Sequence, residues 1–171
     1  MHEVHEQYMT FIRNILFLFL SAFAGPALVG QVKVAFFLAP TCTICRYYAL
    51  EMRDLSADYA SHEVEFIGYA VGPLLTDSVV ASFREEYKIP FSVVLDDTMH
   101  RALNATVTPE VFVLRNDTVV YHGRIDDSFL RVGKRRAHVK NRELRSAIDR
   151  ILQGRSVDVP FVPAVGCIIE K

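Results

Sequence analysis

Cys42-Thr43-Ile44-Cys45 is the segment of this sequence best suited to chemistry. An apolar run precedes it and an amphipathic stretch follows, so it falls where a strand hands over to a helix. The first turn of a helix leaves backbone N–H groups unpaired, and the helix dipole adds partial positive charge at the same end. Both favour a thiolate. The dipole contributes up to about 2 kcal/mol, enough to carry a thiol from its usual value near 8.5 to about 7. Cys42, on the N-cap side with its sulfur exposed to those donors, is the expected nucleophile. Cys45, one turn deeper, is the expected resolving thiol: Cys42 opens a partner disulfide and Cys45 then releases the mixed disulfide. Thr41, next to Cys42, is carried as an accessory position. A lone C-x-x-C also fits half of a zinc ribbon or an inert structural disulfide. Closed tetrahedral zinc needs a second ligand pair, and no second C-x-x-C or H-x(3–5)-H occurs after residue 24, so no metal is assigned.

The elements that must position this pair can be read on either side of it. Val32 to Ala39, VKVAFFLA, is too short for a helix and apolar enough for a strand buried on both faces. From Thr43 to about Tyr59, Ile44, Tyr47, Tyr48, Met52, Leu55 and Tyr59 recur at helical spacing. Val64 to Val71 is a second strand, Asp77 or Thr76 can cap a second helix that ends before Pro90, and Phe91 to Asp97 is a third strand. A short helical turn through Arg101 to Asn104 leads to a hairpin around Asn116-Asp117. The helix NRELRSAIDRILQG follows a basic stretch, and from about residue 155 a tail with Pro160 and Pro163 shows no clear period. Alternating strands and helices impose parallel pairing, and the hairpin adds antiparallel strands. The expected class is α/β, a mixed central sheet with helices on both faces and an extended C-terminal tail.

Ile15 to Ala24, ILFLFLSAFA, follows Arg13 and ends in the small-x-small pattern of a signal-peptidase site. The expectation is a signal peptide over 1–24, with Gly25 as the first mature residue and one domain over 25–171. The alternative is an uncleaved anchor over 11–30 and, through it, a transient membrane association. Glu3 and Glu6 make the n-region acidic, whereas a start at Met9 makes it cationic. Export to a periplasmic or extracellular location would permit a close cysteine pair to persist as a disulfide.

A chain of 171 residues, 51% apolar and 23% charged, has the size and balance of one globular domain. With 19 Lys+Arg against 20 Asp+Glu, its bulk charge gives no drive toward nucleic acid. Three cysteines are too few for a disulfide scaffold, and the odd count leaves at least one without a partner in the chain. No phosphate-cradling Gly-rich loop is present and a dithiol itself carries two electrons, so no cofactor is expected.

FFLAPTCTICRYY, FIGYAV, IPFSVVLDD, ATVTPEVFVL, YHGRIDD and VGCII together resemble the redoxin, peroxiredoxin-like (AhpC/TSA-type) branch of the thioredoxin superfamily, over nearly all of Val32 to Ile169. The resemblance implies a thioredoxin-like fold and a thiol–disulfide oxidoreductase acting on a protein thiol or disulfide, as substrate or electron donor. It also implies a cis peptide at Thr108-Pro109 opposite the cysteines, with Thr108 presented for pairing with a partner chain. Two departures matter. Phe36 stands where similar thioredoxins carry an acid that takes the proton of the buried cysteine, and the P-x-x-x-T-x-x-C pattern of peroxiredoxins is absent. Thiol peroxidase is the alternative activity, and a copper-binding module using two thiolates with His100 or His122 is the second alternative. Cys167 matches a tail cysteine of the family: an accessory resolving thiol, a thiol paired between chains, or an inert one.

Lesser candidates remain. Arg131, Lys134, Arg135, Arg136 and Lys140 form a basic stretch, expected as a solvated loop or as an electropositive rim to the thiol site. Gly123 is expected at a bulge, and Arg124 in an ion pair with Asp126 or Asp127. Oligomeric state is not encoded in any of these features.

Overall fold

The computed structural model describes residues 30–96 and 98–170. The expected signal segment and the alternative anchor lie outside them, apart from Gly30. Among the described residues no helix is long and apolar enough to cross a membrane.

Strand β1 (Val32–Leu38) is buried at every position but Lys33. That follows from its place in the middle of a six-stranded sheet, where neither face meets water. It runs parallel to β2 (Val64–Ala70), with Val32 opposite Val64 and Leu38 opposite Ala70, and antiparallel to β5 (Glu110–Arg115). Beyond β2 lies β3 (Ser92–Leu95), and beyond β5 come β6 (Thr118–Gly123) and the two-residue β9 (Phe161–Val162), giving the order β3-β2-β1-β5-β6-β9. The helical crossovers are α1 (Thr43–Asp58) and α2 (Asp77–Glu86). Thr76 caps α2 by accepting the Val79 N–H through its hydroxyl at 3.3 Å. Asn116 and Asp117 both take positive φ, 48° and 60°, the conformation a two-residue type I′ hairpin turn requires.

Strand alternation divides the core between the two faces of the sheet. Val34, Phe36 and Leu38 join Ile44, Tyr48, Met52 and Leu55 of α1 and Leu144, Ile148 and Ile151 of α4 (Glu143–Leu152). Ala35 and Phe37 point the other way, into a smaller cluster with Phe112, Ala105 and Ile169, closed by Met99 of the four-residue α3 (Met99–Ala102). Each fully buried Phe, Leu, Ile or Val side chain contributes roughly 1.5–3 kcal/mol, so the first face carries most of the stabilisation. The expected mixed α/β architecture is what the molecule has.

Three local expectations change. The basic stretch is a small hairpin, β7 (Phe129–Arg131) with β8 (Lys134–Arg135), rather than an irregular loop. It is moored from below by Asp127, 1% exposed, which accepts the Lys140 N–H at 2.8 Å and lies 3.2 Å from Arg136 Nε. Arg124 pairs with Glu143 of α4, Nε to Oε1 at 3.0 Å, and not with Asp126 or Asp127. Gly123, at φ 131°, serves close approach and not a bulge: a Cβ there would fall 2.8 Å from the Val162 carbonyl carbon. The register shift sits instead between Val113 and Leu114.

The C-terminal tail is the largest addition to the sequence reading. It runs along the sheet edge as β9, parallel to β6, and then forms β10 (Cys167–Ile168). β10 pairs antiparallel with β4 (Val107–Thr108), Cys167 opposite Thr108 and Ile168 opposite Val107.

Candidate active site

Cys42 is the N-cap of α1, with extended backbone (φ −79°, ψ 121°) and no side-chain cap. Its N–H donates to the Ala39 carbonyl at 2.9 Å and its carbonyl accepts the Arg46 N–H at 3.1 Å, so the turn out of β1 fixes the sulfur at the helix mouth. Arg46 Nε also donates to the Pro40 carbonyl at 2.8 Å, placing a guanidinium on the same turn. That anchor carries no motif signature in the sequence. Thr41 is exposed in this turn.

The sulfurs are arranged differently from the expected dithiol. Cys42 is bonded to Cys167, across a Cα–Cα distance of 6.2 Å and a sequence separation of 125 residues, while Cys45 is a free thiol. Cys42 is also not exposed as anticipated: it is 3% accessible, because β10 lies over it. Cys45 is fully buried and accepts the Ala39 N–H at 3.3 Å. Burial pushes its thiol up to about 12, against the smaller opposite pulls of the Ala39 N–H and of Thr108. Phe36, which takes the place of the expected acid, is fully buried and stacked on Phe66 and Phe91.

Thr108 and Pro109 stand opposite Cys42, and the peptide bond between them is cis. The Thr108 carbonyl oxygen lies 3.2 Å from Cys42 Sγ. Glu110, the next residue, is buried and reaches back to accept the Thr106 N–H at 2.8 Å through Oε2, which holds the short β4 segment in place. A buried carboxylate satisfied by backbone N–H groups is a positioning device the sequence did not advertise, since an acid after a proline reads as solvent-facing.

The remaining candidates are occupied elsewhere. His100 Nδ1 lies 3.0 Å from Asp96, whose carboxylate also accepts the Met99 and His100 N–H groups. Burial would raise that carboxyl, but these hydrogen bonds outweigh it and hold Asp96 below the usual range. His122 is sandwiched between the rings of Phe112 and Phe161. Among the described residues no group of three or more His, Cys, Asp or Glu side chains is placed to hold a metal ion. Arg135 stacks over Tyr47 at 4.4 Å, so part of the basic hairpin is engaged on α1. An open cleft of about 940 Å³ lies between α4 and the tail, with Arg145, Arg150 and Asp158 in its walls, but it contains none of the cysteines.

The arrangement can do thiol–disulfide chemistry. One sulfur sits at a helix N-terminus, a second sulfur is delivered by an extended strand, and a backbone edge beside them pairs with that strand.

The family model described as the AhpC/TSA family matches residues 21–125. No curated protein sequence matches the chain. Among solved structures, a hypothetical protein of Sinorhizobium meliloti is 25% identical with a TM-score of 0.72, covering 82% of this chain and 79% of that one. An uncharacterized conserved protein of Geobacillus kaustophilus is 27% identical with a TM-score of 0.72, covering 82% and 77%. A thioredoxin-like protein of Aeropyrum pernix, 21% identical with a TM-score of 0.50 over 55% of this chain and 69% of that one, shares the fold.

Proposed function

The chain belongs to the AhpC/TSA family, and from that premise we propose that it is a thiol–disulfide oxidoreductase whose nucleophile is Cys42. The observation that carries the reading is the position of the Cys42 sulfur, at the mouth of α1 and 3.2 Å from the Thr108 carbonyl, already joined to a second cysteine of the same chain. In the reduced chain the Cys42 thiolate attacks a sulfur of a protein disulfide. A mixed disulfide forms and the partner's other sulfur leaves as a thiolate. A second thiolate of the chain then attacks the Cys42 sulfur, the partner leaves with both sulfurs reduced, and two electrons have passed from chain to partner.

Cys45 was expected in that second role. With its thiol held near 12 and Phe36 offering no proton acceptor, it is a poor nucleophile at neutral pH. We assign that role to Cys167, which is bonded to Cys42. The substrate class is a protein disulfide presented on an extended segment, which Thr108 pairs through its backbone. The exported location of the sequence reading belongs to the same proposal, since an oxidising compartment preserves the Cys42–Cys167 bond.

The test is direct. The reduced chain mixed with a protein disulfide should lose the Cys42 and Cys167 thiols as partner thiols appear, and Cys42→Ser should abolish the exchange by at least about 100-fold. Cys167→Ser should accumulate a mixed disulfide through Cys42. Exchange that survives in Cys42→Ser would overturn the reading. Oxidation of Cys42 by peroxide outpacing that by disulfide would replace it with thiol peroxidase.

A further inference from the structure

β10 occupies the groove that the proposed substrate would need. Cys167 faces Cys42, Ile168 is 82% exposed, and Ile169 is buried in the second core cluster, so alternate side chains point in and out as in any strand. The Ile169 N–H donates to the Thr106 carbonyl at 3.0 Å, extending the pairing of Cys167 with Thr108 and Ile168 with Val107. Gly166 makes the approach possible. A Cβ at that position would lie 2.7 Å from the Thr108 carbonyl carbon, 3.1 Å from its nitrogen, and closer still to its oxygen, all backbone atoms that have no room to yield.

We propose that residues 166–169 are a resident peptide of the catalytic groove, an internal substrate that yields to an external disulfide-bearing segment and then evicts it. This rests on the oxidoreductase reading above and adds the substrate's local pattern: glycine directly before the reacting cysteine, and an apolar residue two positions after it. The tail seats non-covalently in the reduced chain. An external segment displaces it, and Cys42 takes one sulfur of that segment's disulfide while the other leaves as a thiolate. When the tail returns, the Cys167 thiolate attacks the Cys42 sulfur, the Cys42–Cys167 bond forms, and the external cysteine departs as a thiolate from a groove now refilled. Resolution and product release are thus one event.

The experiment uses the full reduced chain and a synthetic Gly-Cys-x-Ile peptide whose cysteine carries thionitrobenzoate in disulfide linkage. Release of coloured thionitrobenzoate reads the first step, and release of free peptide reads the second. In Gly166→Ala the tail cannot seat, so the first step should quicken severalfold while the second slows at least tenfold and the Cys42–peptide adduct accumulates. Ile169→Ser, which removes the tail's anchor and leaves Gly166 intact, should give the same opposed pair of changes. On the wild-type chain, a peptide with alanine before its cysteine should start at least tenfold more slowly. A normal first step with unaltered release in Gly166→Ala, a slowing of both steps, or equal rates for the glycine and alanine peptides would overturn the resident-peptide proposal alone. Absence of thionitrobenzoate release from every chain would remove the oxidoreductase reading, and this one with it.

Discussion

Two sulfurs three residues apart meet opposite electrostatic surroundings. Cys42 sits where unpaired N–H groups favour a thiolate, whereas Cys45, one turn inward, is stripped of water and its thiol is raised to about 12. At pH 8 a thiol at that value is roughly 10⁻⁴ ionised, against about a quarter for an ordinary thiol near 8.5. In the reduced chain, iodoacetamide at pH 8 should therefore modify Cys167 at least about 100-fold faster than Cys45, read by mass spectrometry of the labelled peptides. Because the raised value keeps the proton on, Cys45 labelling should go on climbing with pH long after that of an ordinary thiol near 8.5 has levelled off. Labelling of Cys45 at the Cys167 rate in the folded protein would contradict the burial argument. The C-x-x-C motif made Cys42 legible because strand, turn and helix all bear on it locally. The partner was not legible in spacing, since a contact spanning 125 residues leaves no trace there; the family resemblance alone offered Cys167, as an accessory resolving thiol.

Elements with a period were readable and elements without one were not. β1, α1, β2, α2 and the hairpin at Asn116-Asp117 all declare themselves through short apolar runs, helical spacing or turn chemistry. β4, β9 and β10 are two residues each, too short for any pattern, and exist only because a neighbouring edge accepts them. Phe36 shows what the central strand contributes. It stacks on Phe66 and Phe91 at centroid distances of 6.4 and 5.7 Å, filling the space beneath α1. Phe36→Ala should cost about 3–5 kcal/mol in chemical denaturation, the usual penalty for an aromatic removed from a packed core. A loss below about 1 kcal/mol would mean that the layer closes over the gap.

For the molecule as a whole, the Cys42–Cys167 bond closes most of the described residues into one loop. Restricting an unfolded loop of that size stabilises the native state by up to roughly 5 kcal/mol on the chain-entropy account, with 2–5 kcal/mol the usual yield. Reduction, or Cys167→Ser, should lower the denaturation midpoint accordingly, and an unchanged midpoint would show that the reduced unfolded chain is already constrained. The tail that brings Cys167 to Cys42 first passes along β6, whose outer edge β9 covers, with Gly123 letting the two backbones meet. In the reduced chain, cleavage anywhere between α4 and β9 would therefore strip away two protections together. The thiol at the helix mouth would lose its cover, and the backbone N–H groups of His122 and Arg124 would lie open to strand addition by neighbouring copies, turning the cut chain into a seed for self-association.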